Sequence, residues 1–128
     1  TVMAQESPDI RVVTVEKDLE HAKLAQQFFD RHNVADQIVI INESAEQYLS
    51  TVNKQFDLIF FDGYQIHYEF LPHYIRLIKA GGILFLANNH LKSKTSDRFF
   101  QELLNSSPGL KHWEMLEQFA DTTIAQKI

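Results

Sequence analysis

A chain of 128 residues, 45% apolar and 23% charged, is long enough for one domain with a real core and has the balance of a globular protein. Its formal net charge of −5, with no run of Lys or Arg, argues against a nucleic-acid or anionic-membrane surface, and the absence of cysteine excludes disulfides, thiolate catalysis and cysteine-ligated zinc. No apolar run approaches the ~20 residues that span a bilayer and no signal-peptide pattern opens the chain, so a cytoplasmic protein is expected.

The chain begins at Thr1 rather than Met, and TVMAQES reads as the end of a helix. Either a processing boundary precedes Thr1 or an upstream piece of the fold lies outside this sequence. RVVTVE, Arg11 to Glu16, is short and rich in β-branched residues and predicts a strand. From Asp18, a candidate N-cap, DLEHAKLAQQFFDRHN places Leu19, Ala22, Ala25, Gln26 and Phe29 at helical spacing and predicts a helix ending near Asn33. QIVIIN predicts a second strand, and SAEQYLSTV a short helix capped by Ser44. FDLIFFD predicts a third strand, continuously apolar as expected when both faces of a parallel sheet are covered.

IHYEFLPHYIRLIKA predicts a helix, with Pro72 tolerable near its first turn or at a kink, ended by Gly81 and Gly82. ILFLAN is the fourth strand. TSDRFFQELLNS is a helix capped by Thr95 or Ser96 and closed by Ser107, Pro108 and Gly109. KHWEMLE and TTIAQKI predict two final strands that pair as an antiparallel hairpin. The order β-α-β-α-β-α-β-α-β-β implies a single α/β domain over residues 1–128, with a mainly parallel sheet and helices on both faces.

In such sheets ligands bind at the carboxyl ends of the strands, where strand order reverses. Those ends carry Glu16, Asn42 with Glu43, Asp62, and Asn88 with Asn89. Four successive ends in a carboxylate or carboxamide are more than helix capping accounts for. Glu16 can accept hydrogen bonds from both hydroxyls of a ribose; the plainer alternative is an exposed loop acid preceding the Asp18 cap. Asp62, Asn88 and Asn89 offer three oxygen donors to a hard cation such as Mg²⁺, although only one is charged, and the two asparagines can equally serve a turn. His67 and His73 stand six apart and so on different helix faces. His90 is either an acid–base candidate or a solvated loop residue. Phe28, Phe29, Phe60, Phe61, Phe99 and Phe100 fall at core spacing and are read as packing. Tyr64 and Tyr68 follow Asp62 closely enough to line a pocket.

Taken in order, VVTVEKDLEHAKLAQQFF, DQIVIINESAEQYL, FDLIFFDGYQIHY, LIKAGGILFLANNHL and DTTIAQKI resemble the S-adenosylmethionine-dependent O-methyltransferases of the catechol and caffeoyl-CoA type. The resemblance runs from about Arg11 to Ile128 and lies in order and spacing rather than in any one motif. It implies a class I methyltransferase fold: Rossmann-like, doubly wound, mainly parallel, with an antiparallel C-terminal strand. It also implies S-adenosylmethionine as cofactor, methyl transfer to an oxygen nucleophile of a small molecule, and often a homodimer. Glu16 takes the place of the ribose-binding acid, and Glu43 and Ser44 that of the adenine loop. Asp62 matches the aspartate beside the cofactor that also binds Mg²⁺, Asn88 and Asn89 match the pair completing the metal site, and Tyr68 matches a tyrosine in the following helix.

The departures from the family pattern are specific. Asn88 stands where the family has a second metal aspartate, removing one negative charge. Gln65 stands where many members have a lysine that helps deprotonate the acceptor; glutamine can orient a hydroxyl but cannot act as its base. Both point away from metal-assisted catechol-type chemistry. The family also places a central strand and a glycine-rich loop before TVMAQES, whereas Gly63, Gly81, Gly82 and Gly109 form no GxGxG pattern. RVVTVE is therefore expected to lack a neighbour on the side facing FDLIFFD, at a cost in unpaired backbone, unless upstream residues or another chain fill the slot. Little or no turnover is expected of these 128 residues alone. The alternative is a non-catalytic relic that keeps a nucleoside pocket or only the scaffold; Asn88 and Gln65 favour it, Glu16 and Asp62 oppose it. A nicotinamide-dinucleotide domain would also use an acid like Glu16, but nothing after Asp62 looks like a reductase site.

Overall fold

The computed structural model describes residues 2–63, 68–87, 110–115 and 122–128. The chain divides into two compact units, Thr1–Val52 and Asn53–Ile128. No helix among the described residues is long and apolar enough to cross a membrane.

The first unit runs α1 (Val2–Glu6), β1 (Val12–Val15), α2 (Leu19–Arg31), a 3₁₀ turn (Ala35–Gln37), β2 (Ile38–Ile41) and α3 (Ala45–Thr51). The β-branched stretches of β1 and β2 pair in parallel, from Val12 opposite Ile38 to Val15 opposite Ile41, with α2 as the crossover between them. Helix α2 starts where its sequence signals say: the Asp18 carboxylate accepts from the Glu20 and His21 N–H groups. It stops before Asn33, whose φ of 55° is a left-handed conformation that asparagine tolerates better than most residues. Ala4, Val34 and Ile38 are buried together, with Val12 and Phe29 packed against them. The Gln37 amide donates to the carbonyls of Ala4 and Ser7, both at 2.8 Å, and so ties the end of α1 to the start of β2.

The second unit runs β3 (Phe56–Phe61), a 3₁₀ turn (Tyr68–Phe70), α4 (Leu71–Leu77), β4 (Ile78–Leu86), β5 (Leu110–Met115) and β6 (Thr122–Lys127). Its sheet has the order β3-β4-β6-β5, with β3 and β4 parallel and β6 antiparallel to both its neighbours. The final strands thus pair as the sequence predicts. Leu71, Tyr74, Leu77, Ile78, Leu84, Leu86 and Ala125 form the buried interior. Lys127 donates to the carbonyls of Ile75 and Ile78 at 2.7 and 3.0 Å, satisfying acceptors that the end of α4 leaves open. Strands β1 and β3 each end their own sheet.

Three expectations need correction. The helix predicted over residues 66–80 is helical as α4 only from Leu71 to Leu77. Pro72 sits in its first turn, where a missing N–H costs nothing. At Ile78 the backbone turns extended (φ −83°, ψ 133°) because this buried residue pairs with Phe56 in β3. Gly81 and Gly82 therefore lie inside β4 rather than closing a helix. The register shifts there, from Phe56 opposite Ile78 to Leu58 opposite Ile83, and Gly81 supplies the positive φ of 78° that the excursion requires.

The second correction concerns β3, which is not covered on both faces among the described residues. Tyr74 of α4 meets the Phe61 ring edge-on, so α4 lies over the Phe61 face. Strand alternation turns Leu58 and Phe60 the other way, where they remain 43% and 50% exposed. Third, Phe28 and Phe60 are not core residues: both are exposed, Phe28 stacking on His32 and Phe60 on Phe85, while Phe29 and Phe61 pack inward as read. The predicted helix from Thr95 or Ser96, with Phe99 and Phe100, lies outside the described residues.

Candidate functional site

In the first unit, the parallel pairing of β1 and β2 brings two strand ends to one edge. The last ladder bond runs from the Glu16 N–H to the Ile41 carbonyl at 3.0 Å, and beyond it Glu16 and Asn42 emerge side by side. Glu16 is half-buried. Its Oε1 accepts from the Asp18 N–H at 2.8 Å, and Oε2 has no partner among the described residues. Neither of the two salt bridges there involves it. A carboxylate fixed through one oxygen, with the other unpartnered and no salt bridge among the described residues, is chemically suited to accept hydrogen bonds from a vicinal diol.

The adjoining loop is built from the same edge. Glu43 and Ser44 are half-buried, and the Ser44 hydroxyl oxygen accepts from the Gln47 N–H at 3.1 Å, capping α3 as its sequence predicts. Glu43 lies near Tyr48, whose phenol is pushed up by burial and then by the Glu43 charge. Glu16, just past β1, and Glu43 and Ser44, past β2, thus stand at the same end of the parallel pair.

Asp18 links this edge to α2. The hydrogen bond from the His21 N–H, with a further one from Glu20, holds its carboxyl below the ordinary aspartate range against an opposing desolvation. A lowered folded-state value means that the cap's contribution is complete above the ordinary range and is lost as pH falls through the lowered value. In an acid titration followed by NMR, the Glu20 and His21 amide shifts should move together through that pH. In Asp18→Asn, which keeps a capping oxygen but cannot titrate, they should stay flat; a transition retained in the variant would assign it to another group.

In the second unit, Asp62 follows the last residue of β3, where the Ala87 N–H donates to the Phe61 carbonyl at 2.9 Å. The charge at the end of this apolar strand is exposed rather than buried. A side chain at Gly63 would collide with the Phe61 ring, so glycine lets that ring turn back over the chain just past Asp62. Tyr64, Gln65, His67, Asn88, Asn89 and His90 lie outside the described residues, as does the side chain of Tyr68. Among the described residues, no group of three or more His, Cys, Asp or Glu is arranged to hold a metal ion.

One polar residue at the first strand edge was named by the sequence only as part of the rim. The Asn42 amide donates to the carbonyls of Glu16 and Lys17 at 2.8 and 3.2 Å. Its place directly after a predicted strand is the signal available in the sequence. The partners lie 26 and 25 residues away, which no local pattern reveals.

A family model described as O-methyltransferase matches residues 1–101. The curated O-methyltransferase hkm8 of Aspergillus hancockii is 28% identical over 78 residues, 59% of this chain and 31% of that protein. Two solved structures share the fold. One is the O-methyltransferase TomG of Streptomyces achromogenes, involved in tomaymycin synthesis and solved with S-adenosylmethionine: TM-score 0.81, 20% identity, covering 98% of this chain and 66% of that one. The other is an O-methyltransferase of Bacillus cereus in complex with S-adenosylhomocysteine: TM-score 0.75, 21% identity, 91% of this chain and 63% of that one. The chain thus spans about a third of its curated relative and just under two thirds of these structures. The shared fold is the Rossmann-like class I methyltransferase fold expected from the sequence.

Proposed function

Because this chain belongs to the O-methyltransferase family, we propose that it binds S-adenosylmethionine and serves methyl transfer to an oxygen nucleophile of a small molecule. The observation that carries this reading is the Glu16 carboxylate, set at the β1–β2 edge with Oε2 unpartnered among the described residues. When bound, S-adenosylmethionine supplies a methyl group on a positively charged sulfur, open to in-line displacement by oxygen.

Within this reading each of the chain's residues has a part. Glu16 accepts the ribose hydroxyls, and Glu43 and Ser44 line the adenine side. Asp62 holds the cofactor near the methyl, Gln65 orients the acceptor hydroxyl without taking its proton, and Tyr68 stands in the segment that follows. The protein's main contribution is to bring the reactants together and exclude water. A cytoplasmic location, a homodimer, and a strand and glycine-rich loop from outside these 128 residues belong to the same reading. A Mg²⁺ ion held by Asp62, Asn88 and Asn89 would have one carboxylate fewer than the family pattern, and with Gln65 in place of a lysine it is assigned no step. The family match over residues 1–101 extends across both compact units, which supports reading them as one domain.

Calorimetric titration with S-adenosylhomocysteine tests the reading, with NAD⁺ as comparator. Saturable binding of the first and none of the second is expected; no binding of S-adenosylhomocysteine, or equal binding of both, would overturn it. Binding is common to the enzyme and to the relic that Gln65 and Asn88 favour, and turnover of a hydroxylated acceptor would exclude the relic.

A further inference from the structure

We infer that Asn42 is a positioning residue for the Glu16 carboxylate, acting through the peptide that joins Lys17 to Asp18. This rests on the reading of Glu16 as the ribose acid. Past the last ladder bond, residues 17 and 18 pair with no strand among the described residues, and Lys17, Asp18 and Asn42 are exposed. A loop in that position ordinarily exchanges its hydrogen bonds with water and leaves a glutamate free to rotate. Here the Asn42 amide spends both of its N–H donors on this loop, one on the Glu16 carbonyl and one on the Lys17 carbonyl.

The second of these bonds matters for the carboxylate. The Lys17 carbonyl and the Asp18 N–H belong to one peptide unit, which is planar and trans, so its oxygen and its hydrogen point in opposite directions. Holding the oxygen towards Asn42 aims the N–H the other way, and that N–H donates to Glu16 Oε1 at 2.8 Å. The same Asp18 accepts from Glu20 and His21 at the start of α2, which anchors the far side of the peptide. Glu16 is thereby clamped by one oxygen, and the other is presented in a fixed direction. With the amide reversed, its oxygen would face two carbonyl oxygens, so the two acceptors also fix the orientation of Asn42.

The experiment compares Asn42→Ala and Asn42→Asp, the latter matching asparagine in shape but lacking both donors. Two quantities are read: the hydrogen-exchange rate of the Asp18 amide and the dissociation constant for S-adenosylhomocysteine. Both variants should speed Asp18 exchange by roughly 3–10-fold, the equivalent of one net hydrogen bond, and leave the β1–β2 ladder amides unchanged. S-adenosylhomocysteine affinity should fall by about 3–10-fold with Glu16 in place and by less than about twofold in the Glu16→Ala background, the signature of coupled residues. Equal losses in both backgrounds, unchanged Asp18 exchange, or full function in Asn42→Asp would overturn the inference. If Glu16→Ala alone leaves S-adenosylhomocysteine binding intact, the ribose reading fails separately, and the Asp18 exchange rate still decides whether Asn42 sets the carboxylate.

Discussion

Replacing Glu16 by alanine is expected to weaken S-adenosylhomocysteine binding by roughly 10–100-fold, the equivalent of the ~1.5–3 kcal/mol that hydrogen bonds to an ionised group contribute. The size follows from the geometry. The carboxylate is already held by the Asp18 N–H, so a bound diol gains its hydrogen bonds without first immobilising the acid. Glu16→Gln should fall between the two, because it keeps one acceptor oxygen and loses the charge. The measurement is a calorimetric dissociation constant for each variant, paired with a melting curve to show that the fold persists. A change smaller than about twofold in Glu16→Ala would remove Glu16 from the binding site, since a loss of even one neutral hydrogen bond exceeds it.

Leu86→Ala is expected to destabilise the second unit by about 2–5 kcal/mol, the range for deleting a leucine side chain from a packed interior. Leu86 is 0% exposed and sits on the strand between Phe61 of β3 and Thr123 of β6, so there is no free surface onto which the site can relax. Trp113 is the only tryptophan in the chain, and its strand pairs with β6 opposite Ile124, which makes its fluorescence a probe of this sheet. With a urea dependence of ~1–3 kcal/mol per molar, the midpoint should drop by roughly 0.7 M or more. A shift equivalent to less than ~1 kcal/mol would mean that neighbouring side chains close the cavity. The same change should also loosen the end of β3 from which Asp62 emerges, because Leu86 is the strand partner of Phe61.

Most of the elements were legible because their signals are local. Asp18 and Ser44 announce α2 and α3 through hydrogen bonds to N–H groups two or three residues on, and those bonds are present. The β-branched runs became β1 and β2 in parallel register, and the closing pair of strands became β5 and β6. The acid expected at the β1 end stands there, its Oε2 unpartnered among the described residues. Each of these elements, though not the pairing of β1 with β2, depends on chemistry within a few residues of chain.

What the sequence determined by itself, then, is the alternation of elements, the helix caps and the carboxylates and carboxamides at the strand ends. Tertiary structure decided where α4 stops, because Ile78 gains more from burial against β3 than from another helical turn. It decided which phenylalanines are core, since identical apolar spacing left Phe60 on an open face and put Phe61 under Tyr74. It also decided what Asn42 is for. An asparagine after a strand is locally a turn residue; only the parallel pairing of β1 and β2 brings its two donors to the carbonyls of Glu16 and Lys17, because the register of a sheet joins residues that the chain keeps far apart.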